Sequence, residues 1–289
     1  MTRFDEFEER KTSKARAAAI APFVTDVDHG RPDGRHGRPQ GLHYVELGNE
    51  WSRTMFDGPF YLSPSTADDL PSTNLVFVQS RDGNTATNDP STLGGGEADT
   101  HLIYEGLSRV AADAVLAGAR TVRSGNLVLS VWRPELVALR ASMGLPRHPV
   151  QVVATLQGLP LDEGLMFNVP ELRLILITAA RAADAMREAL KARPWITLVV
   201  MNDPLDWRNA FRELRRVGIE RMSCIGGRTL AGPLLDAGLV QDVYLTTGTK
   251  AGGEPGTPFY AKPLNGREIV RKHGTGPDRG VIFEHRQLF

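Results

Sequence analysis

Two short apolar runs in this chain break into small residues and then launch a helical pattern. The first is Ala114-Val-Leu-Ala117, followed by Gly118-Ala-Arg-Thr121-Val-Arg123; the second is Met222-Ser-Cys-Ile225, followed by Gly226-Gly227-Arg228-Thr229-Leu230. A buried strand that turns through glycine into a helix leaves unpaired backbone N–H groups at the helix mouth. There the positive end of the helix dipole favours phosphate. Two such mouths on one sheet would hold the two ends of a dinucleotide, so the pattern points to a nucleotide-dependent enzyme.

The rest of the pattern supplies the sheet. Runs at 74–79, 114–117, 150–154, 172–177, 196–200, 221–225, 240–246 and 280–285 read as strands. Segments 98–110, 179–192, 206–217 and 229–237 read as helices, the third stopped by Gly218. Strands alternating with helices argue an α/β fold with a mainly parallel sheet covered on both faces. Ligands of such sheets bind at the carboxyl ends of the strands, where both glycine turns fall.

Residues 1–72 read as an N-terminal extension, partly irregular, before a domain at 73–289. Met1 to Ile20 reads as an exposed helix, and GRPDGRHGRPQG (30–41) as turn-rich loop. His29, His36 and His43 lack carboxylate or thiolate neighbours at ligand spacing, so they read as a solvated loop and no metal is expected. Basic and acidic residues balance at 34 each, which gives no sign excess pointing to nucleic acid or an anionic membrane. The lone Cys224 cannot form an intramolecular disulfide and reads as a buried structural thiol. No run approaches the roughly 20 apolar residues that span a bilayer, and the N-terminus lacks the apolar core of a signal peptide. The expectation is a soluble, cytoplasmic protein.

Neither turn is a GxGxxG or a GxxxxGK[ST] motif. The chain instead resembles the reductase domain of riboflavin biosynthesis, which is related in fold to dihydrofolate reductase. Asn74 to Ala86 (NLVFVQSRDGNTA) resembles that family's first strand and Ser-Leu-Asp-Gly turn, with Arg81 in place of the leucine. Arg109 through Val122 resembles its arginine, Asp-Ala strand and Gly-x-x-Thr-Val turn. Ile225-Gly-Gly-Arg-Thr-Leu-Ala resembles its glycine-pair turn, and Ala237 to Thr246 the strand that follows. The segment Leu139 to Pro149 resembles an actinobacterial-type subgroup, the pyrimidine reductase family proteins, which carry no deaminase domain. This chain likewise has no His-x-Glu with Pro-Cys-x-x-Cys.

The resemblance implies NADPH as cofactor, a small-molecule substrate and a homodimer. Gly226, Gly227, Arg228, Thr229 and Leu230 would wrap the cofactor's phosphates; Gly118, Thr121, Ala154, Thr155 and Thr178 would meet it along the strand ends. Arg123 and Arg228 would pair with the 2′-phosphate. Arg109 would contact substrate, Asp82 would orient it or relay a proton, and Trp132 and Arg133 fall one residue from the family's phosphate-binding arginine. Each has a plain rival: an ordinary turn, a helix cap, a solvated arginine, or an Asx-turn at Asp82-Gly83. Ile225 stands where the family carries a glutamate that lines the substrate site, and isoleucine accepts no hydrogen bond. The expected reaction is hydride transfer to C1′ of a ribosylaminopyrimidine phosphate. Two alternatives stay open. One is an NADPH reductase of another pterin-like or carbonyl substrate, dihydrofolate included; the other is a non-catalytic nucleotide-binding protein with residues 1–72 as a docking arm.

Overall fold

The apolar runs become strands of one sheet because each alternates its side chains between two covered faces. The computed structural model describes residues 1–28, 44–64, 67–123, 125–202 and 204–288; the histidine-bearing loop read at 29–43 lies outside them. The strands are β1 (Phe23–Asp28), β2 (Val45–Leu47), β3 (Phe60–Leu62), β4 (Ser72–Gln79), β5 (Ala114–Gly118) and β6 (Val150–Thr155). They continue with β7 (Leu174–Ala179), β8 (Ile196–Met201), β9 (Arg221–Cys224), β10 (Asp242–Thr247), β11 (Gly266–Gly274) and β12 (Ile282–Leu288). The helices are α1 (Arg3–Ala17), α2 (Glu50–Met55), α3 (Ser108–Val110), α4 (Ala119–Val122), α5 (Pro134–Ser142), α6 (Ala180–Lys191), α7 (Trp207–Arg216) and α8 (Arg228–Asp236). A wide, π-type helix at Ala98–Leu107 runs into α3.

The main sheet has 10 strands in the order β1-β11-β12-β10-β4-β9-β5-β6-β7-β8. From β10 to β8 every neighbouring pair is parallel, whereas β12, β11 and β1 add antiparallel strands at one side. On β5, Leu116 faces the cluster formed with α7 and α8, and Val115 and Ala117 face the one formed with α1 and Trp132. The chain walks outward from β5 to β8, then returns to insert β9 between β4 and β5. That return brings the two glycine turns side by side.

Several elements escaped the sequence reading. β11 (GREIVRKHG) carries four charged residues and a histidine among nine and was not read as a strand, yet it pairs on both sides, and its buried Lys272 donates to Thr25 Oγ1 at 2.7 Å and Asp57 O at 2.9 Å. The small hairpin β2–β3, with α2 between its strands, was also missed, as were β1 and α5. The helix expected at 1–20 forms, but it is not exposed all round. Phe7 and Ala15 are buried, Phe7 edge-on to Trp132 with centroids 5.6 Å apart. The segment before β4 thus packs onto the same cores as the rest of the sheet. No helix among the described residues is long and apolar enough to cross a membrane.

Candidate functional site

The mouth of α8 is made almost wholly by backbone. Ile225 N donates to Leu116 O at 3.0 Å, carrying the β9–β5 pairing one residue past the strand. Gly226 and Gly227 then adopt φ of +77° and +97°, a region that side chains resist. A Cβ on Gly226 would lie 2.6 Å from the Phe77 ring, whereas one on Gly227 would meet nothing within 4 Å. The space over Gly227 is therefore open, and within the chain it is the backbone angle that asks for glycine there. Its carbonyl accepts from Leu230 N and Ala231 N, both at 2.9 Å, and no side chain caps the helix. Gly227, Arg228 and Thr229 are exposed, and Leu230 is buried. At the neighbouring α7, by contrast, Asp206 Oδ1 accepts from Asn209 N at 2.9 Å. That mouth is closed by a carboxylate and would repel an anion; the α8 mouth would draw one.

The other glycine turn touches this one. A Cβ on Gly118 would sit 3.7 Å from Gly226 O. Gly118 precedes α4, again without a side-chain cap, and Thr121 is half-buried within that helix. Register sets Gly118 beside Ala154, and Thr155 beside Thr178, along the same edge. The two threonine hydroxyls turn inward, however: Thr155 Oγ1 donates to Gly158 O at 3.0 Å, and Thr178 is fully buried. Arg123 is tied to that loop through Nη2 to Gly158 O at 3.1 Å, which leaves Arg228 as the freer cation at the mouth. Burial pushes the Cys224 thiol up to about 12, so it is an inert core group.

The residues read for substrate divide between an exposed turn and buried positions. Asp82 is exposed in the turn closed by Ser80 N to Asn84 O at 2.9 Å. Arg109 is only 2% exposed; its Nη1 donates to Ser130 O at 3.1 Å and its guanidinium lies over Tyr104 at 4.5 Å. The cause is local. Gly106 breaks the wide helix with φ −117° and ψ −105°, and any Cβ there would meet Leu136 at 2.4 Å. Arg133 is held under the N-terminal segment: Nη1 donates to Ala15 O at 2.8 Å, Nε lies 3.2 Å from Glu135 Oε2, and the group stacks on Trp51 at 4.5 Å. Ile225, 6% exposed, belongs to the same apolar cluster as Phe7 and Trp132. Arg109 and Arg133 are thus both held by partners within the chain.

Two carboxyls on the wide helix were missed. Glu105 takes Lys11 Nζ at 2.5 Å and stands 3.3 Å from His101 Nδ1. Burial pushes its pKa up, but the His101 hydrogen bond and the Lys11 and Arg109 charges outweigh it and hold the group at about 2. Asp99 accepts from Thr246 Oγ1 on β10. The available signal was an acid on the stripe that Leu102, Ile103 and Leu107 form at helical spacing. Among the described residues no group of three or more His, Cys, Asp or Glu could hold a metal ion.

Comparison with known proteins gives this geometry a context. The model of the RibD C-terminal domain family matches residues 71–271. A 2,5-diamino-6-ribosylamino-4(3H)-pyrimidinone 5′-phosphate reductase of Aquifex aeolicus is 26% identical over 138 residues, 47% of this chain and 57% of that protein. The match thus spans little more than half of that relative. A pyrimidine reductase-like protein of Corynebacterium diphtheriae superposes with a TM-score of 0.61 at 19% identity, over 76% of this chain and 92% of its own. The riboflavin biosynthesis reductase Rib7 of Saccharomyces cerevisiae gives 0.54 at 17% identity, over 78% and 93%. Acinetobacter baumannii RibD gives 0.56 at 17% identity, over 76% and 59%. At these identities the likeness speaks for the fold, which is dihydrofolate reductase-like as expected.

Proposed function

The chain belongs to the RibD C-terminal domain family, and on that footing we propose that it is an NADPH-dependent reductase of a ribosylaminopyrimidine phosphate. The observation that carries the reading is the open, uncapped α8 mouth in contact with the Gly118 turn. The residues fit the cofactor. The N–H groups of Gly227, Arg228 and Thr229 would hold a phosphate that no side chain displaces, and the bare Gly227 lets it approach. Arg228 would take the 2′-phosphate. When bound, NADPH supplies a hydride from C4 of its nicotinamide. The protein's own work is to align that carbon with C1′ of the substrate and to keep water out. The same reading takes the protein to act as a cytoplasmic homodimer, which sedimentation would test.

Ile225 favours a second reading. An apolar, buried residue at the position of the family's glutamate leaves a polar pyrimidine without that acceptor. The substrate would then be another pterin-like or carbonyl compound, dihydrofolate included. The test is fluorescence titration with NADPH and NADH, then NADPH oxidation with pyrimidine and folate substrates. Micromolar NADPH binding with weaker NADH, and oxidation with the pyrimidine, is the expected result. Oxidation only with the other substrates would favour the second reading. Tight binding without turnover would leave a nucleotide-binding protein, and no binding would defeat all three.

A further inference from the structure

The amino edge of the main sheet, opposite the glycine mouths, holds a small polar cavity. β4 runs parallel to both β9 and β10 there. Register sets Ser72 beside Arg221, and Asn74 beside Ser223 on one side and Asp242 on the other. Residues paired in this way show their side chains on the same face of the sheet. Asn74, Ser72, Arg221 and Asp242, with Leu62 from the end of β3 and Ser108 from α3, line a cavity of about 20 Å³. That is room for one water molecule and little else.

One wall of the cavity carries an unmet need. Asn74 is 6% exposed; its Nδ2 donates to Ser108 O at 3.0 Å, but its buried Oδ1 accepts from no donor among the described residues. The hydroxyls around it are committed elsewhere. Tyr244 has a single hydroxyl proton and gives it to Tyr61 O at 2.9 Å. Ser72 Oγ donates to Ser63 O at 2.6 Å, and Ser108 Oγ to Tyr104 O at 2.9 Å. Both serine oxygens keep lone pairs that can accept. Ser223 Oγ, fully buried beside Asn74, also has no partner, which makes it a rival donor for the amide oxygen.

Charge narrows the occupant. The Asp242 carboxylate already takes Ser63 N at 2.8 Å, Ser63 Oγ at 2.7 Å and His285 Nε2 at 2.7 Å. An anion would meet that carboxylate and the Asn74 oxygen, and a cation would meet the Arg221 guanidinium. A neutral molecule that both donates and accepts meets neither objection.

We propose that this cavity is a built site for one internal water, which donates to Asn74 Oδ1 and to a serine oxygen and accepts from Arg221. The water closes the seam between the end of β3 and the starts of β4 and β9 with hydrogen bonds where apolar packing leaves a gap. The site lies at the edge of the sheet away from the glycine mouths, so the inference does not depend on the reductase reading.

The test is a high-resolution crystal structure of the full chain, with further crystals soaked in bromide and in rubidium, and water 17O relaxation dispersion in solution. The expected result is one ordered water within hydrogen-bond distance of Asn74 Oδ1, and no anomalous peak in the cavity from either ion. In solution Asn74→Leu should lose one long-lived water relative to wild type, whereas Ser223→Ala should keep it. A bromide or rubidium peak in the cavity would overturn the proposal by showing an ion site. So would a dry cavity with Ser223 Oγ turned onto Asn74 Oδ1, or an Asn74→Leu variant that retains every long-lived water. If Asn74→Leu does not fold, the wild-type density and the two soaks still decide. None of these readouts involves NADPH or turnover, so failure of the reductase reading would leave the result standing.

Discussion

The α8 mouth and the wide helix are built of different materials. At the mouth the functional groups are backbone N–H, and the side chains that matter are those missing from Gly118, Gly226 and Gly227. On the wide helix, and at Arg109 and Arg133 beyond it, the groups are side chains, each held by a partner from far away: Lys11 on Glu105, Thr246 on Asp99, Ser130 on Arg109, Ala15 on Arg133. A backbone site needs only a strand, a turn and a helix adjacent in sequence. A side-chain site needs the whole fold, including the segment before β4.

The largest effect is expected where the backbone site is touched. Gly226→Ala drives a Cβ to 2.6 Å from Phe77 at a φ of +77°. It should cost about 1–3 kcal/mol of stability and more than tenfold in NADPH affinity. Gly227→Ala, with open space at its Cβ, should lose affinity with a smaller loss of stability. Wild-type NADPH binding by Gly226→Ala, read by fluorescence titration, would break the idea that backbone makes this half.

The next effect belongs to the other half. Lys11→Ala strips a largely buried carboxylate of its amine, because Glu105 is 11% exposed at its side chain. A loss of about 1–3 kcal/mol is expected in urea unfolding, with NADPH affinity unchanged. If affinity falls in step with stability, the two halves are not separable.

This contrast explains what could be read from sequence. The strands from β4 to β10 and the glycine mouths were legible because periodicity and glycine are local signals. That Gly118 and Gly226 share the carboxyl edge followed from a parallel sheet, but their adjacency needed the insertion of β9 between β4 and β5. Arg109 was legible as a residue but not as a buried one, since the kink at Gly106 depends on Leu136 from α5. β11 was hidden because the burial of Lys272 becomes tolerable only with Thr25 and Asp57 in place. Asp99 carries no local signal of its partner, because Thr246 comes from β10.

A pH series sharpens the comparison further, since the side-chain half carries groups that titrate abnormally. His148, near α1, is lowered to about 4 by burial and by the Arg147 and Arg140 charges. Its native state refuses a proton that the unfolded chain accepts, so stability is lost as pH falls from 6.5 towards 4. Glu105, net lowered to about 2, holds stability that is lost as pH falls from 4.5 towards 2. Asp99 has the opposite sign: with its pKa raised from 3.8 to about 7, its share of stability declines as pH rises through that window. Between pH 6.5 and 4.5 the His148 and Asp99 effects oppose each other, so denaturant midpoints should change little there. In His148→Gln the Asp99 effect is left alone, and the midpoint should rise as pH falls. An unchanged slope in the variant would mean that His148 is not held neutral.

The smallest effect tests whether an open helix mouth suffices. Asp206→Ala uncaps α7 and should cost about 1 kcal/mol, with no change in the NADPH isotherm. The α7 N–H groups would then be as free as those of α8, and the closing carboxylate would be gone. Yet α7 has no counterpart of Gly226 and Gly227, whose positive φ turns the chain so that a phosphate can approach. The variant should bind no second equivalent of nucleotide. If it does, the dipole and bare N–H groups are enough, and the glycine pair at α8 serves the turn rather than the ligand.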